Sequence, residues 1–381
     1  MTTGTDFHVG IVGLGSMGMG AARSCLRAGL STWGADLNPQ ACANLLAEGA
    51  CGAAASAREF AGVVDALVIL VVNAAQVRQV LFGEDGVAHL MKPGSAVMVS
   101  STISSADAQE IAAALTALNL NMLDAPVSGG AVKAAQGEMT VMASGSEAAF
   151  TRLKPVLDAV ASNVYRISDT PGAGSTVKII HQLLAGVHIA AAAEAMALAA
   201  RAGIPLDVMY DVVTHAAGNS WMFENRMQHV VDGDYTPRSA VDIFVKDLGL
   251  VADTAKALRF PLPLASTALN MFTSATASTQ ALAAIQQQYG ATEASHAVEA
   301  LFSLLAARLA EGGITRFIVA GGETSGVVTQ SLGITGFHIG PCISPGVPWV
   351  NALHAPVSLA LKSGNFGDES FFIRAQREFQ I

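Results

Sequence analysis

Charge is scarce in this chain of 381 residues: only 13% are Asp, Glu, Lys or Arg, and the net charge is -9. No basic run occurs, so nucleic acid and anionic membrane surfaces are disfavoured as partners. The four cysteines, Cys25, Cys42, Cys51 and Cys342, show neither metal-ligand spacing nor a disulfide framework. They read as reduced thiols, which points to the cytoplasm, and no His/Cys/Asp cluster suggests a metal. The opening residues MTTGTDFHVG lack a basic segment followed by an apolar core, so the apolar run from Phe7 reads as a strand, not a signal peptide. What is present is an alanine-rich chain, 51% hydrophobic, long enough for two or three domains.

One stretch organises the rest. Gly174 to Gly203 contains no proline and no internal glycine except Gly186, and it stops at Gly203-Ile204-Pro205. Alanine and leucine give it high helix propensity, and its length suits a hinge between two domains. Val177, Ile180, Leu184, Val187, Ala191 and Leu198 recur at three- and four-residue steps and are expected to form a packed stripe. Lys178, His181, His188, Glu194 and Arg201 interrupt the apolar run, which argues against a membrane span. Lys178 and Gln182 lie one turn apart with His181 beside them. A lone lysine at such a place is ordinarily solvated; what precedes it changes that reading.

Upstream, Phe7–Val12 is a short apolar strand, followed at once by Gly13-Leu14-Gly15-Ser16-Met17-Gly18 and a helical pattern over Ala21–Leu30. Strand, glycine turn and helix form the context that the GxGxxG pattern requires. Gly13 permits a tight turn, Gly15 the approach of a pyrophosphate, and Gly18 close helix packing. Gly20 reads as a packing position of small consequence. A second strand, Ser31–Ala35, ends in Asp36, and no arginine follows in Leu37-Asn38-Pro39. A carboxylate there accepts from the ribose hydroxyls of NAD and repels the extra phosphate of NADP, so the expected cofactor is NAD.

Further apolar runs, Ala66–Val72 and Ala96–Val99, suit strands buried on both faces. They end at Asn73 and at Ser100-Ser101-Thr102. Asn73 and Thr102 therefore either line the nicotinamide side or cap the helices that follow. Asn121–Ala125 leads into the loop Asp124-Ala125-Pro126-Val127-Ser128-Gly129-Gly130. Its hydroxyl and flexible backbone amides suit a carboxylate, or a plain turn. Met139–Ala143 continues the sheet and Phe150–Val160 covers it. Beyond the long helix, Leu206–His215, Ser220–Val230 and Ser239–Leu258 are helical patterns. In the last of these, Lys246-Asp247 is either a surface pair or part of a cleft wall.

The glycine fingerprint, the DAPVSGG loop, and Gly174 with Lys178 four residues on together resemble the β-hydroxyacid dehydrogenase family over residues 7 to about 275. The resemblance implies Lys178 as the catalytic residue, with Ser128, Gly129 and Gly130 holding a substrate carboxylate. It implies cofactor contacts from Thr102 and Lys246, and Asp247 ordering the far wall. Family members usually carry two asparagines where this chain has His181 and Gln182, so these two are expected to shape a pocket for a more polar acid. The pair resembles the members that oxidise L-threonate; tartronate semialdehyde and 3-hydroxyisobutyrate chemistry are the alternatives. A lysine at a helix start, desolvated in a closing cleft, should have a lowered pKa and relay the hydroxyl proton.

Members of that family end soon after the helix Leu264–Ser274, whereas this chain continues. Gln280–Gln288 and Ala294–Ala310 are helical, the latter with Val298, Leu301, Leu304, Leu305 and Leu309 expected to pack on a sheet. Phe317–Ala320 runs as a strand into Gly321-Gly322-Glu323-Thr324-Ser325-Gly326, and Leu359–Lys362 runs into Ser363-Gly364-Asn365-Phe366-Gly367. These stretches, with Ile343-Ser344-Pro345-Gly346, resemble the C-terminal part of the four-carbon acid sugar kinases. The resemblance implies a residual nucleotide site from Gly321, Gly322, Glu323, Thr324, Ser325, Gly364 and Asn365, able to hold ATP weakly. The composite reads as two neighbouring genes joined in frame after a deletion, with an inactive or a bifunctional dehydrogenase-kinase fusion as the alternatives. The expected fold class is α/β: a Rossmann-type NAD-binding domain (1–170), a long interdomain helix with an all-α substrate and dimerisation domain (171–275), and a partial kinase-like α/β segment (276–381). The expected partners are a small sugar acid and further copies of the chain.

Overall fold

The computed structural model describes residues 7–234, 240–289, 291–320, 322–344 and 347–362, with Phe371 and Ala375; for 277–299 and for residues 320, 322, 323, 344 and 362 only the backbone is described. Two compact units are present, Met1–Thr276 and Ala277–Ile381.

The first unit is built on β1 (His8–Val12), α1 (Ser16–Arg27), β2 (Ser31–Ala35), α2 (Pro39–Ala47), β3 (Gly52–Ala54), β4 (Ala66–Ile69), α3 (Ala74–Phe82), β5 (Ala96–Val99), α4 (Ser105–Ala117) and β6 (Asn121–Asp124). Strands β1 to β6 are parallel in the order β3-β2-β1-β4-β5-β6. The order reverses between β1 and β4, and ligands of such sheets sit beyond the carboxyl ends of the strands at that switch. The sheet extends through β7 (Val127–Ser128), α5 (Gly130–Gln136), β8 (Met139–Gly145), α6 (Glu147–Val160) and β9 (Ala161–Ser168), with β8 antiparallel to β6 and β7 and parallel to β9. Two apolar clusters cover its faces, one around Ile11, Ala22 and Leu153, the other around Phe60, Ile69, Ile111 and Leu115. That two-sided burial is why β4 and β5 read as unbroken apolar runs.

Strand β4 stops at Ile69, short of the expected Val72. Its partner β1 ends at Val12, and the φ of +89° at Gly13 then turns the chain away, so the later residues have no ladder to join. Strand β9 was not foreseen because most of its residues are exposed and no buried face imposes alternation. Gly20 is not a site of small consequence. An added Cβ there would stand 2.7 Å from the α5 backbone at Ala134 and Ala135, so it sets how closely α1 approaches α5.

The helical half comprises α7 (Ala173–Arg201), α8 (Leu206–Thr214), α9 (Trp221–Val231), α10 (Asp242–Ala257) and, as far as Thr276, α11 (Pro263–Tyr289). The 29-residue α7 is long and apolar enough to cross a membrane, with mean hydropathy 1.7 in its most apolar window. Within the unit its buried side packs against α9 and α10. Of the expected packed stripe, Val187 does pack, but Ile180, Leu184 and Leu198 face outward, 57%, 52% and 70% exposed. The buried side is mostly small and partly polar, with Gly174, Ser175, Lys178, Gln182, Ala185, Gly186 and Ala190 beside the larger Ile179 and Met196. Periodicity located a face correctly as apolar but not as inward, because close helix approach favours small side chains. At Gly186 an added Cβ would press 2.9 Å from the Leu248 side chain, which shows how tightly α10 crosses.

The second unit contains α12 (Ala291–Glu311), β10 (Arg316–Ala320), α13 (Gly322–Ser331), β11 (Phe337–Ser344), β12 (Val347–Ala352) and β13 (Ser358–Lys362). Its sheet has the order β10-β13-β12-β11, parallel only between β10 and β13. Helix α12 does pack in this unit, but through Ala306 and Ala310, not through leucine. Leu301, Leu304 and Leu305 are exposed, again because the small residues are the ones that fit against a close neighbour. The side chain of Val298 lies outside the described residues.

Candidate active site

The glycine turn closes beyond β1. Gly13 donates its amide to Ala35 O at 2.8 Å, and an added Cβ at Gly18 would overlap Gly13 O. Gly15 differs from both: an added Cβ there would meet nothing within 4 Å. The N-terminus of α1, with Ser16, Met17 and Gly18 in its first turn, carries no side-chain cap. Open space against uncapped amides is what a pyrophosphate needs. Asp36 stands at the end of β2, taking the Leu14 amide on Oδ2 at 2.6 Å and the Asn38 amide on Oδ1 at 2.8 Å. Each oxygen keeps accepting capacity toward a ribose. The residues present fit a dinucleotide.

Asn73 and Thr102 lie beyond β4 and β5, at the same edge. The Asn73 side chain caps α3 by accepting from Gln76 N at 2.9 Å, the alternative its sequence context offered. Thr102 meets the helical half through its carbonyl. Lys246 on α10 donates to Val72 O at 2.8 Å and Thr102 O at 2.9 Å and pairs with Asp247 Oδ1 at 2.7 Å. The Lys246-Asp247 pair thus ties α10 to the carboxyl edge of the sheet.

A residue the sequence did not single out for a role sets the start of α7. Asp124, fully buried at the end of β6, accepts on Oδ2 from Gly172 N (2.8 Å), Ser175 N (2.9 Å) and Ser144 Oγ (3.0 Å), and on Oδ1 from Ser175 Oγ (2.6 Å). A carboxylate at a helix N-terminus satisfies its free amides and complements its dipole. Gly174 lies against Met142 O and Asp124 O so closely that a Cβ would clash. The available signal was an acid ending an otherwise apolar strand.

With α7 pinned there, Lys178 is placed one turn inside and is only 6% exposed. Its Nζ donates to Gln182 Oε1 at 2.9 Å, and Gln182 Nε2 donates to Asp247 Oδ2 at 2.5 Å. His181 Nδ1 lies 3.0 Å from the same Gln182 Oε1, and its Nε2 lies 3.3 Å from Ser128 Oγ. Burial pulls the Lys178 pKa down to about 8, with Asp247 opposing and Lys246 adding to the fall. Burial, then the Lys178 charge, lowers the His181 pKa as well, while its contact with Gln182 opposes. Gly129 and Gly130 follow Ser128 with φ of +133° and +71°, a backbone that favours glycine. Ser128, Lys178, His181, Gln182, Asp247 and Lys246 thus form one connected cluster, drawn from β7, α7 and α10.

Known proteins match in two blocks. Residues 8–168 fit the model for the NAD-binding domain of 6-phosphogluconate dehydrogenase, and 172–306 that for the NAD-binding domain of NADP-dependent 3-hydroxyisobutyrate dehydrogenase. L-threonate dehydrogenase of Escherichia coli K12 is 81% identical over 275 residues, covering 72% of this chain and 91% of that protein.

The chain belongs to the β-hydroxyacid dehydrogenase family.

A crystal structure of a β-hydroxyacid dehydrogenase from Salmonella typhimurium, described as 3-hydroxyisobutyrate dehydrogenase, is 98% identical, with a TM-score of 0.70 over 72% of this chain and 95% of that one. The dinucleotide-binding fold is common to the family, so the fit of the glycine turn and its matched models agree. The tail has a different relation. Residues 251–372 match a nucleotide-binding C-terminal domain, overlapping the preceding match. The 3-oxo-tetronate kinase of Salmonella typhimurium is 99% identical over 108 residues, 28% of this chain but only 26% of the kinase. Of the residues assigned to a nucleotide there, Thr324 and Ser325 lie in the first turn of α13, which also begins with Gly322 and Glu323. Gly321, Gly364 and Asn365 lie outside the described residues.

Proposed function

We propose that this chain oxidises a hydroxyl of a small sugar acid with NAD, the favoured substrate being L-threonate, oxidised at C2 to 2-oxo-tetronate. The observation that carries the reading is Lys178, an amine buried at the start of α7 with its pKa brought to about 8. The neutral amine donates one N–H to Gln182 Oε1 and keeps its lone pair for the hydroxyl proton. Asp247, held through Gln182 and Lys246, lies close enough to stabilise the ammonium that results. The Ser128-Gly129-Gly130 turn takes the carboxylate end. Residues 13–18 and Asp36 hold the dinucleotide, with Asn73, Thr102 and Lys246 at its nicotinamide end; when bound, NAD supplies the hydride acceptor. The names of the 81%-identical relatives and the polar His181-Gln182 pair support a hydroxylated substrate.

The same reading assigns residues 1–170 to the cofactor, 171–275 to substrate and subunit contact, and 276–381 to a tail without kinase activity, in a cytoplasmic homo-oligomer. Exposed Ile180, Leu184 and Leu198 on α7, with Val208 and Val212 on α8, support the subunit contact. The description of the 98%-identical crystal structure supports a second reading, oxidation of 3-hydroxyisobutyrate. Purified full-length chain with NAD, followed by absorbance of the reduced nicotinamide, separates them. The first reading expects L-threonate to be turned over faster than 3-hydroxyisobutyrate, and faster than tartronate semialdehyde is reduced in the reverse assay. Turnover of 3-hydroxyisobutyrate alone overturns it.

A further inference from the structure

The side-chain cluster around Lys178 has a fixed direction. Asp247 Oδ2 only accepts, so the Gln182 amide must present Nε2 to it and Oε1 to the other side. That Oε1 already accepts from Lys178, and an amide oxygen cannot donate to His181. The hydrogen of a neutral His181 ring is therefore on Nδ1, facing Gln182 Oε1 at 3.0 Å. Its Nε2 is left as a bare lone pair, 3.3 Å from Ser128 Oγ. Burial and the Lys178 charge both favour the neutral ring. Every donor then points toward Asp247: Ser128 to His181, His181 to Gln182, Gln182 to Asp247. Hydrogen bonds aligned in one direction polarise each other, and this run ends on a buried carboxylate. Ser128 has no hydrogen to spare for a ligand. Its Oγ is left to a ligand as an acceptor.

We propose that His181 is a specificity-determining positioning residue, which turns Ser128 into an acceptor for a substrate hydroxyl and leaves the carboxylate to the backbone amides at Gly129 and Gly130. This rests on the proposed oxidation of a sugar acid and refines it. An acceptor buried against a substrate rewards a partner with an O–H and is left unpaired by one with only C–H. The site selects polyhydroxy acids over deoxy acids of the same length. Gln182 fixes the tautomer of the imidazole, so the ring presents Ser128 with an acceptor alone.

The test compares kcat/KM for L-threonate with that for 2-hydroxybutanoate of the same C2 configuration, which keeps the reacting hydroxyl and lacks the other two. Wild-type protein should prefer L-threonate by about 100-fold or more. His181→Leu should cut that preference at least about tenfold, mainly through KM for L-threonate. His181→Gln, which can still accept from Ser128, should recover part of it. Ser128→Ala should cut it comparably, and the double variant should lose no more than either single change, because one residue acts through the other. An unchanged preference in His181→Leu, additive losses in the double variant, or equal use of both acids by wild type overturns the inference. A nitrogen NMR spectrum of the imidazoles in the ligand-free wild type decides it independently of turnover. Nδ1 protonated and Nε2 bare at neutral pH supports it, and the opposite tautomer overturns it. Should the chain oxidise neither acid, the proposed function falls, and the tautomer still decides this point.

Discussion

The two units of this chain each contain a parallel strand pair feeding a helix through glycines, yet among the described residues a walled side-chain cluster is formed in the first alone. In Met1–Thr276, the carboxyl edge of the sheet supplies the glycine turn, Asp36 and the Ser128 loop, and helices α7 and α10 bring Lys178 and Lys246-Asp247 against it. In Ala277–Ile381, β10 leads into α13, and Thr324 and Ser325 stand in its first turn, but the segment spans only 26% of the kinase it matches. A glycine-flanked helix start offers amides to a phosphate in either unit. Turnover requires a second wall that places the acceptor, desolvates the base and fixes the charges around it. The first unit has that wall within its own fold.

The largest effect should come from removing the amine while keeping its volume. Lys178→Met should lower turnover of L-threonate by about 10²- to 10⁴-fold, with NAD affinity little changed and the fold intact by circular dichroism. Near-normal turnover would remove the distinction between the units. Asp124→Asn attacks the same wall indirectly. It weakens four buried hydrogen bonds at the start of α7, and thermal unfolding should show a loss of at least about 3 kcal/mol. A negligible shift would mean that α7 is placed by packing alone.

Cofactor choice is a smaller effect. Asp36 at the end of β2 should give NAD at least about a tenfold advantage over NADP in kcat/KM, roughly 1.4 kcal/mol. Equal efficiencies would show that the carboxylate, already engaged by two backbone amides, does not discriminate. The smallest effect belongs to the tail. Calorimetry with ATP should find affinity no better than about millimolar, roughly -4 kcal/mol, and no ADP should form with 3-oxo-tetronates. Micromolar binding would show that a half-site suffices, and acid-dependent ADP release would make the chain bifunctional.

Much of this was legible in the sequence for physical reasons. The doubly buried strands announced themselves as apolar runs, and the glycine turn by the steric demands of its backbone. Lys178 and Gln182 were legible together, one turn apart on one face, Asp247 was picked out apart from them, and folding joined the three into one cluster. Periodicity misled where helices pack closely. On α7 Ile180, Leu184 and Leu198, and on α12 Leu301, Leu304 and Leu305, face outward, while glycine and alanine make much of the buried side, alongside Ile179 and Met196 on α7, because interaxial distance decides which side is buried. Asp124 escaped notice because its partners, Gly172, Ser144 and Ser175, are distant in sequence and of types that ordinarily mark turns. The direction of the His181 hydrogen bonds also depends on a contact between α7 and α10 that no local pattern encodes.

The central claim is that a buried, neutral Lys178 takes the hydroxyl proton. The pH dependence of kcat/KM for L-threonate oxidation tests it most directly. Oxidation needs the unprotonated amine, so the rate constant should rise with pH and level off above an apparent pKa of about 8, and this step should be absent in the residual activity of Lys178→Met. Reduction of the product, which needs the ammonium, should fall through the same pKa. An oxidation profile flat across that range, or a step that survives in Lys178→Met, would contradict the account.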